Sequence, residues 1–350
     1  MKILLVRLRE IGDVVFTTPA IRALRQRFPD AHLTYIVEPA AAPVVLHNPL
    51  LNEVRIAPKH GLVADLALGR SLRRERYDLA IDFHGGPRAS LLTWLSGARE
   101  RIGYDIPGRG WMYTRRVARA RELKPRHSVE NQWDLLAALG VGPADPSRAP
   151  VEMIVDAVSA RTVAQRLSDA NVSASDRLIV VHVSAGNPFR RWPPDSFAAL
   201  VADLAARDAR HRVVLTAGPS DRAAAARVME AARRRLDAGQ QHRVVECGDF
   251  SLAELRALVD RASVYIGGDS GPLHVAAASH VPIVGLYGPT LPARSAPWRD
   301  PALPAEAVEV HGLLCRPCDQ RVCAPGDFRC LTTISPEDVA AAALRLLGHR

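Results

Sequence analysis

Short apolar runs alternate with stretches of helical spacing along almost the whole chain. Lys2-Ile-Leu-Leu-Val6 is one such run, and from Asp13 onward Val14, Val15, Pro19, Ala20, Ile21, Leu24 and Phe28 recur with a helical period. The pattern predicts strand, loop and helix in that order. Leu33–Val37 and Leu79–Phe83 read as further strands separated by helix-patterned segments, so the first half alternates β and α around a parallel sheet. Gly140 to Pro150 is rich in Gly and Pro and has no period, which marks it as a linker. The alternation then restarts with strands at Leu178–Val183, Val213–Thr216, Arg243–Glu246, Ser263–Ile266 and Pro282–Leu286. Ser335-Pro-Glu-Asp338 forms a capping box with Pro at the first helical position and opens a last helix over Val339–Leu347. The expected fold class is α/β: two doubly wound, Rossmann-like domains, 1–150 and 151–350, facing a cleft at the carboxyl ends of their strands.

Composition is consistent with this picture. With 350 residues, 48% of them hydrophobic and 24% charged, the chain can bury two full cores. No apolar run approaches the length of a bilayer-spanning helix, and Arg7 and Arg9 cut the first run short of a signal-peptide core, so a cytoplasmic protein is expected. The net charge of +9 is uneven: residues 1–150 carry 23 Lys and Arg against 15 Asp and Glu, whereas residues 151–350 carry 23 against 22. The densest stretch runs through Arg109, Arg115, Arg116, Arg119, Arg121, Lys124 and Arg126, with a second cluster at Arg70, Arg73, Arg74 and Arg76. Such a surplus suits an anionic partner as well as an ordinary solvated face. No nucleic-acid-binding module accompanies it, so nucleic acid is not an expected partner.

Three loops carry candidate chemistry. Arg9 to Ala20 follows the first strand and holds Asp13, whose carboxylate suits a general base for a substrate hydroxyl and equally an N-cap. Ile266-Gly-Gly-Asp-Ser-Gly-Pro-Leu-His274 runs from strand into a Gly-rich turn and a helix, a setting for an anion, with Asp269 available to sugar hydroxyls. It is neither a Walker loop nor a dinucleotide fingerprint. His182 to Pro193 offers Ser184 and backbone donors to a phosphate, and Arg190 and Arg191 bring fixed positive charge for a diphosphate leaving group. The chain contains no Asp-x-Asp, the metal-carrying carboxylate pair of many nucleotide-sugar enzymes, which raises the value of those arginines as a metal-free substitute.

Residues 9–20, 182–193 and 266–278, in this order and spacing, resemble glycosyltransferase family nine, the ADP-heptose:lipopolysaccharide heptosyltransferases of Gram-negative bacteria. Asp82 to Ser90, Arg101 to Tyr104, Cys247 to Leu252 and Cys315 to Val339 are similar as well, so the resemblance spans nearly the whole chain. It implies a GT-B fold with the acceptor on the N-terminal domain and the nucleotide sugar on the C-terminal one. The implied reaction moves L-glycero-D-manno-heptose from ADP-heptose to the inner core of lipopolysaccharide, inverting the anomeric centre without a metal. By this resemblance Asp13 is the base, and Arg190 stands where the family places Lys on the donor phosphates. Asp269, Ser270, Gly271 and His274 grip the donor together with Ser184, Phe250 borders the nucleoside base, and Arg88 lies on the acceptor side. The protein would touch the inner face of the inner membrane only peripherally.

Cys315, Cys318, Cys323 and Cys330 follow a C-x2-C-x4-C-x6-C spacing. Four thiols so close suit a structural zinc site, but the spacing is not a common paired zinc pattern, and the expectation is that no cofactor or metal is required. Competing functions are a GT-B transferase with another nucleotide sugar or glycan acceptor, a sugar-nucleotide epimerase, and a non-catalytic nucleotide-sugar binder. The Asp13 loop favours transfer, because an epimerase has no second substrate to deprotonate.

Overall fold

In the computed structural model, which describes residues 1–58, 61–119 and 126–348, every strand belongs to one of two six-stranded sheets, and every pairing between neighbours is parallel. The first sheet comprises β1 (Lys2–Val6), β2 (His32–Val37), β3 (Glu53–Ile56), β4 (Leu79–Asp82), β5 (Glu100–Tyr104) and β6 (Arg115–Val117), in the order β3-β2-β1-β4-β5-β6. The second comprises β7 (Arg177–His182), β8 (His211–Thr216), β9 (Val244–Val245), β10 (Val264–Gly268), β11 (Ile283–Tyr287) and β12 (Ala305–Glu309), in the order β12-β11-β10-β7-β8-β9. Counted from its own first strand, each sheet has the Rossmann order, and the direction of winding reverses between β1 and β4 in one and between β7 and β10 in the other. Strand ends at these reversals splay their following loops apart and leave room for a ligand. The three candidate loops, those after β1, β7 and β10, leave the sheets there, and so does the loop after β4.

The central strands are continuous apolar runs because helices cover both sheet faces. Leu4, Val6, Ile36 and Ala80 pack with Leu72, Ala89 and Leu92 of the flanking helices in the first unit. Ile179, Val181, Ile266 and Val284 pack with Phe197, Leu200, Val201, Ala343 and Leu346 in the second. The last helix spans Pro336–Gly348, and the Ser335 hydroxyl accepts from the Asp338 amide while donating to its carboxylate.

Where one helix is expected after Asp13, there are two, Ile11–Val15 and Thr18–Arg27. Pro19 lacks an amide hydrogen and suits the first turn of a new helix better than the interior of an old one. The Thr17 and Thr18 hydroxyls bond the Val14 and Val15 carbonyls at 2.6 and 2.7 Å, which satisfies the end of the first.

The chain divides into two compact units, residues 1–154 with 298–300, and 155–297 with 301–350. Residues 151–154 stay with the first unit, four residues past the boundary expected at Pro150. The Glu152 amide bonds the Thr18 hydroxyl at 2.8 Å, Arg22 pairs with the Glu152 carboxylate, and Val151 N bonds Trp298 O at 3.0 Å. Trp298 in turn donates its indole N–H to Ala149 O at 2.9 Å. Among the described residues no helix is long and apolar enough to cross a membrane.

Candidate active site

In the first unit, β1 and β4 lie side by side with Val6 opposite Asp82, so their following loops are neighbours. Arg7, one residue past β1, is largely buried; its Nη1 donates to Phe83 O at 2.7 Å and its Nη2 pairs with Asp13 Oδ2. One guanidinium thus ties the carboxylate to the loop after β4. Asp13 sits inside the helix Ile11–Val15, which starts after Glu10, so it is not an N-cap, and its carboxylate remains partly open to solvent. The β4 loop is pinned by buried Asp82, which accepts from the amides of His84 (2.8 Å) and Gly85 (2.9 Å) and from the Tyr113 hydroxyl (2.6 Å). Burial raises the Asp82 pKa, while those same donors oppose the rise. Gly85 holds a left-handed conformation, φ +65°, that turns the loop toward the helix Pro87–Leu95.

Arg88, on the first turn of that helix, is committed within the unit. Its guanidinium grips Asp65 twice, reaches Glu38 at 2.8 Å and donates to Pro58 O at 2.7 Å. It ties the end of β2 to two helices rather than presenting an open cation. Of the basic stretch, Arg115 and Arg116 pair weakly with Glu100 and Asp105 at 3.7 and 3.6 Å, and Arg119 lies over the Tyr104 ring. Arg121 and Lys124 lie outside the described residues.

In the second unit, Asp269 follows β10 and is buried, with His274 Nε2 at 3.5 Å, Arg190 Nη1 at 3.3 Å and the Thr290 hydroxyl as partners. Burial works against its charge, but His274, Arg190 and Thr290 together hold its pKa down at about 2. Ser270 is the N-cap residue of the helix Gly271–Ala277, which carries His274 on its buried side. A Cβ at Gly268 would stand 3.4 Å from Arg190 O, at the edge of ordinary contact, so the loop after β7 lies directly against the end of β10. Arg190 is further fixed through Nε to Gln320 Oε1 at 2.7 Å, and Gln320 also accepts from Asn187 at 2.8 Å. Behind this loop, buried Trp192 donates to Ile334 O at 3.1 Å and stacks edge-on against Phe197, which anchors the segment that aims Arg190.

Ser184 points inward. Its hydroxyl donates to Asp221 at 2.7 Å and accepts from the Gly218 amide, and Asp221 also pairs with Arg191 at 3.2 Å. Arg191 is therefore a strut of the loop, and Arg190 is the arginine that meets Asp269. Phe250 is half-buried on the wall of a pocket of about 140 Å³ shared with Leu215, Thr216, Met229, Val245 and Gly248, with Arg166 over its ring at 5.4 Å. That pocket opens at the carboxyl ends of β8 and β9. The cysteines of the 315–330 segment are free and partly buried, and among the described residues no group of three or more His, Cys, Asp or Glu is arranged to hold a metal ion.

Arg7, Asp221, Thr290 and Gln320 escape a reading of motifs. Arg7 directly follows β1 and Thr290 lies three residues past the end of β11, so the rule that ligands gather at the carboxyl ends of parallel strands would have flagged them. Gln320 sits in an irregular stretch and carries no such signal.

Two Rossmann-ordered parallel sheets, each with its charged loops at the point where the winding reverses, define a GT-B protein. The model of glycosyltransferase family 9 (heptosyltransferase) matches residues 66–325, and the chain belongs to that family. It is a glycosyltransferase, as the resemblance of its three loops implied. Over 345 residues it is 29% identical to lipopolysaccharide heptosyltransferase 3 of Escherichia coli, covering 96% of each chain. Among solved structures it is similar to the glycosyl transferase family 9 protein of Veillonella parvula, with a TM-score of 0.82, 25% identity and coverage of 100% and 97%. The E. coli heptosyltransferase WaaC with ADP matches with a TM-score of 0.71, 21% identity and coverage of 99% and 100%.

Proposed function

We propose that this glycosyltransferase moves L-glycero-D-manno-heptose from ADP-heptose to the inner core of lipopolysaccharide, with inversion and without a metal, at the inner face of the inner membrane. The observation that carries the reading is the division of labour between two switch points. One presents the Asp13 carboxylate steadied by Arg7; the other presents Arg190 beside the Asp269–His274 pair. An inverting displacement needs a base for the acceptor hydroxyl and a stabilised diphosphate leaving group on opposite sides of the anomeric carbon. Asp13 takes the hydroxyl proton as the oxygen attacks, the bond to the diphosphate breaks, and Arg190 meets the charge that develops on it. His274, Ser270 and Gly271 complete the donor side around Asp269, Ser184 steadies the neighbouring loop through Asp221, and Arg88 braces the acceptor side through Glu38 and Asp65. The heptosyltransferase relatives and the ADP held by WaaC support this choice of donor, and the arginine surplus of the first unit suits a phosphorylated acceptor.

Incubation with ADP-heptose and defined truncated core acceptors, read by mass spectrometry and linkage analysis, tests the reading. A product heavier by one heptose is expected. Turnover with a different nucleotide sugar in its place would move the protein to another donor, and donor binding with no transfer to any core acceptor would make it a binder.

The pocket beside Phe250 is assigned to the adenine ring. Base stacking on an aromatic side chain contributes about 1–3 kcal/mol. Phe250→Ala is therefore expected to weaken ADP binding by roughly tenfold or more in calorimetry while leaving the fold intact. Unchanged affinity would place the base elsewhere.

A further inference from the structure

The loop after β4 holds a histidine that the displacement just described does not use. His84 is half-buried, and its Nδ1 is enclosed without any hydrogen-bond partner. An enclosed polar atom left unpaired costs stability, and such atoms persist where function keeps them. The backbone around it is immobilised: its own amide and that of Gly85 are held by Asp82, Phe83 O by Arg7, and Gly85 O by Arg109 at 3.0 Å. Since Arg7 also holds Asp13, the imidazole stands on the same short scaffold as the proposed base. Its other nitrogen, Nε2, lies over Gly86, 3.0 Å from where a Cβ would be.

The surroundings specify what such a ring is for. Burial, with the positive charges of Arg7, Arg9 and Arg119, pushes the His84 pKa down to about 4 against the pull of Asp13, so the ring is neutral at working pH. The arginines can only donate hydrogen bonds and the ionised Asp13 can only accept them. A neutral imidazole is the one group among them whose Nε2 can serve as donor or as acceptor, according to tautomer, and so can meet either the oxygen or the proton of a sugar hydroxyl. Phosphates are already served by guanidinium groups; a hydroxyl beside Asp13 is not.

We infer that His84 contacts the acceptor glycan through Nε2 and orients the hydroxyl presented to Asp13. The inference rests on the glycan-acceptor reading above, and the experiment separates the two. Protein with isotope-labelled histidine is titrated first with ADP and then with a deacylated, phosphorylated inner-core oligosaccharide. The His84 ring signal, assigned by its loss in H84A, is expected to shift with the oligosaccharide and not with ADP. In kinetics, H84A is expected to lower kcat/KM for the acceptor by roughly tenfold to a hundredfold, the cost of misplacing a reacting group, with the KM for the donor unchanged.

H84Q, which carries a neutral donor and acceptor at about the reach of Nε2, restores most of the loss; H84N, which mimics the enclosed Nδ1, does not. Gly86 has an ordinary φ of −79°, so G86A strains no backbone and acts only by displacing the ring. It is expected to reproduce the H84A defect in the wild type and to add nothing in an H84A background. If heptose transfer proceeds while the His84 signal is silent and H84A is fully active, the inference falls and the function stands. If the signal responds to the glycan but no heptose is transferred, the contact stands and the heptosyl reading falls. Silence in both overturns both.

Discussion

Asp13→Asn is expected to reduce heptosyl transfer by about 10²–10⁴-fold, the range a positioned general base contributes, while ADP affinity stays at the wild-type value. The asparagine keeps size and one acceptor oxygen but cannot take a proton, so the loss isolates basicity from packing. Asp13 belongs to the first unit and the donor residues to the second, which is why calorimetry with ADP should not register the change. Some stability is lost as well, because Arg7 is largely buried and gives up its charged partner, although it keeps its bond to Phe83 O and the asparagine oxygen still accepts from it; thermal unfolding of Asp13→Asn measures that loss separately from turnover. Asp13→Glu retains the charge but advances it by one methylene, so an intermediate loss approaching roughly a hundredfold is expected. Transfer by Asp13→Asn at more than about a tenth of the wild-type rate would remove Asp13 from the role of base.

The residues differ instructively in how readily the sequence reveals them. The central strands announce themselves because burial on both faces demands unbroken apolar runs, as in Lys2–Val6 and Leu178–Val183. Edge strands β3 and β6 do not. Glu53–Ile56 and Arg115–Val117 mix charged with apolar residues and lie partly in solvent, so the backbone ladder, not side-chain burial, makes them strands. Asp13, Asp269, His274 and Arg190 are visible as motifs since their chemistry is tied to short loops after strands. What a motif cannot disclose is commitment. Arg88 reads as an open cation until Asp65 and Glu38 are seen to hold it, and Ser184 reads as a phosphate donor until Asp221 claims its proton. These partners lie 23 to 50 residues away, and only the fold brings them together. The return of Trp298 to the first unit is likewise invisible from spacing, as is the reach of Gln320 to Arg190 across 130 residues.

That long-range tether sets the expected result at the donor end. Arg190→Gln should lower kcat by about 10²–10³-fold, the cost of deleting one preorganised group that meets charge developing in the transition state. Donor affinity should fall less, because the leaving diphosphate gains charge only as the bond breaks. Arg190→Lys keeps the charge and brings back the residue of the family pattern, yet a single ammonium cannot span Gln320 and Asp269 as the guanidinium does through Nε and Nη1. A smaller loss, about tenfold, is expected from it, and Gln320→Ala in the wild type should cost a similar amount by freeing the same side chain. The Asp269 carboxylate reports the change independently of turnover. Held at about 2 against an ordinary 3.8, it stabilises the fold above pH 4, and that contribution disappears as the pH falls toward 2. Removing the guanidinium brings the folded pKa back toward 3.8, so Arg190→Gln should begin acid unfolding at a higher pH than wild type, with His274 and Thr290 retaining part of the effect. An unchanged kcat in Arg190→Gln, together with an unchanged acid limb, would show that Arg190 neither meets the diphosphate nor steadies Asp269.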